Sequence, residues 1–329
     1  MPSIPLFTSA TTGAWPEACG ESLGRFLARR TLQLIPVFFG ATFLIYAMVF
    51  AIPGDPVRAL FGDRPVAEST IRQIEEDYNL NDPLLVQYGK YIAGVFQGDL
   101  GRDFRGRDVA EIIGDAFPVT LRLAIFAFTF EVILGLIAGL LAGLRRASFM
   151  DSLVLVSTTA VISVPVFALG YTAQILFGIQ LDLLPIAGLR DGLLSYVLPA
   201  AVLGSLGLAY TARLTRTSLV ENLRADYVRT ATAKGMSRRR VVGRHALRNS
   251  LIPVVTFLGT DLGALMAGAV VTEGVFNIPG IGREVFEATR SQENTVVVGI
   301  VTVLVIVFMF SNLVVDLLYA YLDPRIRYE

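Results

Sequence analysis

Few side chains in this 329-residue chain are suited to bond chemistry, and they do not come in catalytic sets. There is one histidine, His245, and one cysteine, Cys19. These counts exclude a multi-histidine metal centre, a Cys-rich metal site and an intrachain disulfide framework. A Ser–His nucleophile would have to use His245, which sits in a strongly basic connection. Neither HExxH nor GxxxxGK[ST] occurs, so zinc-protease chemistry and P-loop nucleotide binding have no motif here. What remains are two carboxylates, Glu131 and Asp261, set inside long apolar runs. In a membrane a carboxylate costs on the order of 3 kcal/mol, so it should face the bundle interior, pair, or be neutralised. Two readings are open for this pair: lining a path that meets a substrate's ammonium group, or a structural hydrogen bond between helices.

The elements that position those carboxylates are membrane-length. Hydrophobic residues make up 53% of the chain and charged residues 17%, with mean hydropathy +0.60. Soluble domains run near 45–50% apolar and about 25% charged. Six segments reach the roughly 20 apolar residues that a spanning helix needs: 31–52, 118–144, 152–178, 193–212, 251–272 and 295–320. None shows the ten-residue alternation of a barrel strand. The fold class is an all-α membrane protein with six transmembrane helices. Gly135, Gly139 and Gly143 form a small-xxx-small stripe that lets another helix approach closely. Gly204, Ser205, Gly207, Gly259, Gly263 and Gly268 suit helices that must slide or approach across a dimer interface. Arg122 and Asp316 fall near span ends, where snorkelling is cheap.

Basic residues give the orientation. Arg29 and Arg30 precede the first span, Arg145 and Arg146 separate the second and third, and residues 213–250 carry ten Lys/Arg against Glu221 and Asp226. The positive-inside bias places these connections and both termini in the cytoplasm. The first outer connection, 53–117, carries seven Lys/Arg against twelve Asp/Glu. The expected organisation is therefore an N-terminal extension over 1–30, a first helix over 31–52, an outer helical cap over 53–117, a core over 118–320 and a cytoplasmic tail over 321–329. In the cap, Ile71, Ile74 and Tyr78, then Leu85, Tyr88 and Ile92, recur at helical spacing. The N-terminal extension is polar and Pro/Gly-punctuated before Arg29, unlike a cleaved signal peptide. Zero net charge gives no ground for a nucleic-acid partner.

The connection 213–250 is the most informative stretch. Leu219, Leu223, Tyr227 and Val228 give an apolar stripe on a basic helix; Gly235 and Ser237 supply a stop and a new N-cap. A second helix carries Val241, Val242, Ala246 and Leu247 on its apolar side. Two short amphipathic helices joined by a sharp turn make a knob suited to a groove on a partner. Arg238, Arg239 and Arg240 suit anionic lipid, at about 1 kcal/mol each, or a partner protein. His245 reads as a packing residue, with a proton switch as the alternative.

Here a family resemblance enters. The string DYVRTATAKGMSRRRVVGRHALRNSLIP resembles the EAA-type loop of binding-protein-dependent ABC importer permeases, most closely the B-type subunit of the dipeptide/oligopeptide family. IPGDP at Ile52–Pro56, NLNDPLLVQYGKYIAGVFQGDLG at Asn79–Gly101, EGVFNIPGIG at Glu273–Gly282 and DPRIRY at Asp323–Tyr328 resemble further pieces of that family, in the same order. Where the general pattern has Glu-Ala-Ala, this chain has Arg229, Thr230 and Ala231. The resemblance implies a type I importer permease in the cytoplasmic membrane of a bacterium or archaeon. Its implied partners are a second, C-type permease, two cytosolic ATPases that bind ATP and Mg, an extracytoplasmic substrate-binding protein and membrane lipid. The chain itself would bind no cofactor. Coupling to the ATPase carries over to Tyr227, Arg229, Thr230, Ala231, Ala233, Lys234, Gly235, Met236 and Ser237, with Ala231, Ala233 and Gly235 at the tight contacts. Family cargoes range over peptides, nickel chelates, glutathione and oligosaccharides. A stand-alone channel or secondary transporter is the reading of a different class; it has no need of the knob.

Overall fold

The computed structural model describes residues 23–50, 67–69, 71–72 and 81–322. Residues 1–22 of the N-terminal extension, the IPGDP string, Ile74, Tyr78 and the DPRIRY tail lie outside the described residues, as does the side chain of Asp316. Among the described residues the secondary structure is helical, and the one extended pairing is an isolated bridge between Arg102 and Asp108.

Helix α1 (Leu23–Phe50) is followed by α2 (Leu84–Phe96) and then α3 (Val109–Leu144). The third element begins nine residues before the expected 118, because Pro118 sits inside the helix rather than at its start. Proline inside a helix removes one backbone hydrogen bond, and a continuous apolar face outweighs that loss here. Val109, Ile112, Ile113 and Ala116 bury against Ile281, Ala288, Val296 and Ile300. The last nine residues expected in the outer cap are thus the first turns of a core helix.

The third expected span is two helices, α4 (Phe149–Ser163) and α5 (Val166–Ala173), the latter running into a π-helical segment over Gln174–Gln180. Its two halves are bent by 107°. The bend falls at Val164, whose backbone is extended (φ −104°, ψ 129°), because the ring of Pro165 disfavours helical geometry in the residue before it. Ser148 opens α4, its Oγ accepting the Asp151 N–H at 3.3 Å. The fourth span is also a bent pair. A 3₁₀ turn at Gly192–Tyr196 leads into α6 (Val197–Leu203), and α7 (Ser205–Asn222) continues after a 56° bend at Gly204. Next come α8 (Asp226–Ala233), the single turn α9 (Arg238–Arg240), a π-helical segment over Val241–Ala246, and α10 (Leu247–Phe276). Helices α11 (Ile281–Arg290) and α12 (Asn294–Leu322) close the chain. Among the described residues, four helices are long and apolar enough to cross a membrane, and each bent pair supplies one more crossing if it spans as a unit.

The α3–α7 contact organises the bundle. Along α3, Ala127, Glu131, Gly135, Gly139 and Gly143 recur every fourth residue, the period that keeps side chains on one face. Each rung meets α7. A Cβ added at Gly135 would lie 2.8 Å from Thr211, at Gly139 2.6 Å from the Ala212 carbonyl, and at Gly143 3.0 Å from Leu219. From the other side, a Cβ at Gly204 would lie 2.5 Å from the Ala127 carbonyl, and one at Gly207 would strike the Glu131 carboxyl. The expected packing stripe is therefore real, and it extends two rungs toward the N-terminus of α3. Gly204, Gly207, Gly263 and Gly268, expected at a dimer interface, are used inside the chain: the last two face Phe308 and Leu203.

Helix α2 lies against the C-terminal half of α1. The Tyr88 hydroxyl donates to the Phe39 carbonyl at 3.0 Å, and Tyr46 and Tyr91 rings lie 5.4 Å apart. The buried face of α2 is set by Gln87 and Ile92, whereas Leu85 is 70% exposed. Leu85, Tyr88 and Ile92 share the expected helical spacing, but an inner position goes to Gln87, whose amide donates to the Asp82 carbonyl at 2.8 Å.

Candidate coupling surface and core carboxylates

At one end of the bundle, the chain leaves α7 at Asn222, crosses three residues and forms α8 before turning into α10. The expected single stripe over Leu219–Val228 is broken at Leu223–Ala225, because α7 is the continuation of its span and α8 is a separate eight-residue helix. Val228 and Ala231 of α8 bury against Leu219, Val241 and Ala246, with Leu140, Leu223 and Met236 closing the cluster. Tyr227 folds back, its hydroxyl hydrogen-bonded to Asn222 Oδ1.

The turn after α8 has the backbone of a Schellman motif. The Met236 N–H reaches the Ala231 carbonyl at 3.3 Å, the Gly235 N–H reaches the Thr232 carbonyl at 3.0 Å, and Gly235 adopts φ +78°. That conformation is routine for glycine alone. Met236 and Ala231 supply the apolar contact that accompanies such turns. Ser237 stands at the start of α9, but its side chain makes no capping hydrogen bond. Its carbonyl instead accepts from Arg240 at 2.9 Å and Val241 at 3.0 Å.

This geometry divides the nine residues carried over for coupling. Ala231 is turned inward and partly covers its own base, with Met236 beside it. Tyr227, Arg229, Thr230, Ala233, Lys234, Gly235 and Ser237 are exposed, and the space around a Cβ at Gly235 is open to 4 Å. The result is a narrow polar tip on a closed apolar base. A bidentate ion pair stiffens the neighbouring connection: Arg216 Nε and a terminal guanidinium nitrogen each reach the Asp151 carboxylate at 2.9 Å. Asp151 Oδ2 also accepts the Ala147 N–H at 2.9 Å. Planar two-point contacts of this kind fix orientation as well as distance.

The two core carboxylates, from separate spans, come together. Glu131 is wholly covered; its Oε1 accepts the Thr211 hydroxyl at 3.0 Å. Asp261 of α10 lies beside it, side chain to side chain. The sequence named both residues but contained no signal that they meet.

Comparison with known proteins now bears on these features. Residues 132–328 match the family model described as "Binding-protein-dependent transport system inner membrane component", and residues 23–124 match the N-terminal model of the same system. The chain belongs to this permease family. It is 40% identical to the di/tripeptide transport system permease protein of Pseudomonas aeruginosa, covering 92% of this chain and 99% of that one. It is 36% identical to the dipeptide transport system permease protein of Escherichia coli K12 (93% and 99%). It is 39% identical to a glutathione transport system permease protein of Escherichia coli O6:H1 (92% and 99%). The permease is a multi-pass inner-membrane component of a dipeptide-type ABC importer, a transport subunit in class.

At the opposite end of the permease, the structure explains two strings noted above only as resemblances. In EGVFNIPGIG, Asn277 takes φ +52° and ends α10, while Glu273 reaches forward to the start of α11. Its carboxylate accepts the Gly282 N–H at 2.7 Å, the Arg283 N–H at 3.2 Å and the Thr120 hydroxyl at 2.6 Å. Thr120 in turn accepts the Ile281 N–H at 2.8 Å. A buried carboxylate thus satisfies the free N–H groups at a helix start, where the dipole also favours negative charge. Gly280 and Gly282 leave no room for a Cβ beside that carboxylate. In GDLG, Gly101 (φ +88°) has its N–H bound by Asp99 Oδ1 at 2.9 Å, and a Cβ there would lie 2.5 Å from Thr295. Tyr91 donates to Thr302 Oγ1 at 2.7 Å, and burial pushes its phenol up to about 12. Burial also raises the Glu284 carboxyl, with Glu287 adding to it, and raises Glu293, with Asp103 adding.

Proposed function

We propose that this permease forms half of the membrane path of an ATP-driven peptide importer and takes up ATPase motion through α8 and the Gly235 turn. In this reading it crosses the membrane six times, each bent pair counting once, with both termini and the tip of residues 223–237 in the cytoplasm. A second, C-type permease completes the path, two cytosolic ATPases bind ATP and Mg, and an external binding protein delivers cargo. The regions 53–108, 181–196 and 277–293 face outward. The observation that carries the reading is the narrow exposed tip at Ala233–Gly235 on its closed apolar base, which suits insertion into a cleft. Di- and tripeptides are the cargo best supported by the relatives; glutathione, itself a tripeptide, is the second reading and is favoured by the names of several relatives. The coverage of Glu131 supports a helix-to-helix role for the core carboxylates over direct contact with substrate.

The test is purification of the tagged full chain from its native membrane, followed by uptake into proteoliposomes with its binding protein. The expected result is co-purification of two ATPase chains and one sister permease, with ATP-dependent accumulation of a di- or tripeptide. A chain that purifies alone and supports no ATP-dependent peptide uptake would defeat the proposal.

A further inference from the structure

The core carboxylates pose a hydrogen-bonding problem whose solution assigns them a role. Glu131 Oε1 has Thr211 as its donor, but Glu131 Oε2 and Asp261 Oδ2 are both covered and have none. The two side chains face each other across the α3–α10 contact, near the middle of both helices. An ionised carboxylate only accepts hydrogen bonds, so two such oxygens in contact repel; a protonated carboxyl gains one donor. No lysine, arginine or histidine among the described residues acts on either group. Helix α7 presents Thr211 and Gly207, and α12 presents Phe308 and Ser311 two residues further on, at Gly263. Gly207 presses on the Glu131 carboxyl so closely that a side chain would not fit, which keeps the acid against its partner.

We infer that Glu131 and Asp261 hold a single proton between them, so that an O–H···O⁻ hydrogen bond joins α3 to α10 inside the core. A proton on one acid gives a donor to a contact that otherwise holds only acceptors, and removes one of two buried negative charges. Helix α10 is continuous with the turn that follows α8, so the joint ties the element nearest the exposed tip to the rigid α3–α7 ladder. The sign of its pH dependence follows directly. Proton loss as pH rises leaves two negative charges in contact, so the joint holds on the acid side and weakens on the alkaline side. This inference is independent of the cargo and of the coupling assignment.

The test uses the full chain purified with its accompanying subunits, compared with Glu131→Gln and Asp261→Asn. Each amide keeps the shape and supplies a permanent donor in place of the proton. The wild-type thermal midpoint should fall with rising pH, the limiting slope for one proton being about tenfold in the folded-to-unfolded ratio per pH unit. Both variants should lack that component. Infrared spectra of the wild type should contain a deuterium-sensitive band of a protonated carboxyl that each variant loses. An identical pH slope in all three proteins would overturn the inference, as would a midpoint set by sodium concentration and not by pH. If the variants fail to fold, absence of the protonated-carboxyl band from the wild type alone would overturn it.

Discussion

Gly235→Trp is expected to abolish substrate-stimulated ATP hydrolysis by the assembled transporter while leaving insertion and abundance of the chain unchanged. The substitution adds its side chain where, among the described residues, nothing lies within 4 Å of the Cβ position. Gly235 has φ +78° and open space around the position of a Cβ, so an indole there projects outward and disturbs none of Leu219, Val228, Ala231, Val241 or Ala246. The local cost is that of a left-handed residue other than glycine, roughly 1–2 kcal/mol, and falls on an exposed turn. A cleft shaped for a bare glycine cannot close over an indole, and the stimulated rate should fall at least about tenfold, equivalent to ~1.4 kcal/mol of lost contact. Gly243→Ala, also in open space a few residues on, is the control and should retain stimulation. Normal stimulation in Gly235→Trp would show that the turn meets no motor.

The second large effect is expected at the other end, from a single methyl group. In Gly282→Ala the new Cβ meets the backbone of Val270, 2.7 Å from its nitrogen, and stands 3.0 Å from Glu273 Oε2. Neither neighbour yields easily: one is main chain inside α10, the other is fixed by Thr120 and two backbone N–H groups. Overpacking of this sort costs about 1–3 kcal/mol, and here the displaced group is a buried carboxylate whose lost hydrogen bonds add to it. The melting midpoint of the purified complex should drop clearly in Gly282→Ala and hardly change in Gly274→Ala, where the space is open. Equal midpoints would mean that the Glu273 anchor does not hold α11 in place.

Much of the fold was legible because the signals were strong and local. Apolar runs marked the four membrane-length helices and both bent pairs, and Gly135, Gly139 and Gly143 announced a close helix contact. Gly235 betrayed a left-handed turn, and the structure supplies φ +78° there. The misreadings share a cause, which is that periodicity does not say what a face will meet. Helical spacing grouped Leu85 with Ile92, yet Gln87 is buried with its amide on Asp82, and Pro118 looked like a helix start until Val109–Ala116 found the α11–α12 corner. Ala231 looked like part of the tip, yet it faces its own base. The meetings of Glu131 with Asp261, and of Glu273 with Gly282, join separate helices; no local pattern announces such pairs. Both bends were present as Pro165 and Gly204, but neither residue encodes an angle.

The central claim, that the tip beyond α8 seats in an ATPase cleft, is tested most directly by cysteine cross-linking in the assembled complex. With Cys19 replaced by serine, single cysteines at Ala233 and Lys234 should cross-link to the ATPase chain through a short bifunctional reagent, and nucleotide should alter the yield. A cysteine at Ala231, facing inward, should not react. Labelling of Ala233 and Lys234 by a bulky water-soluble maleimide in the intact complex, with no ATPase cross-link in any nucleotide state, would contradict the account.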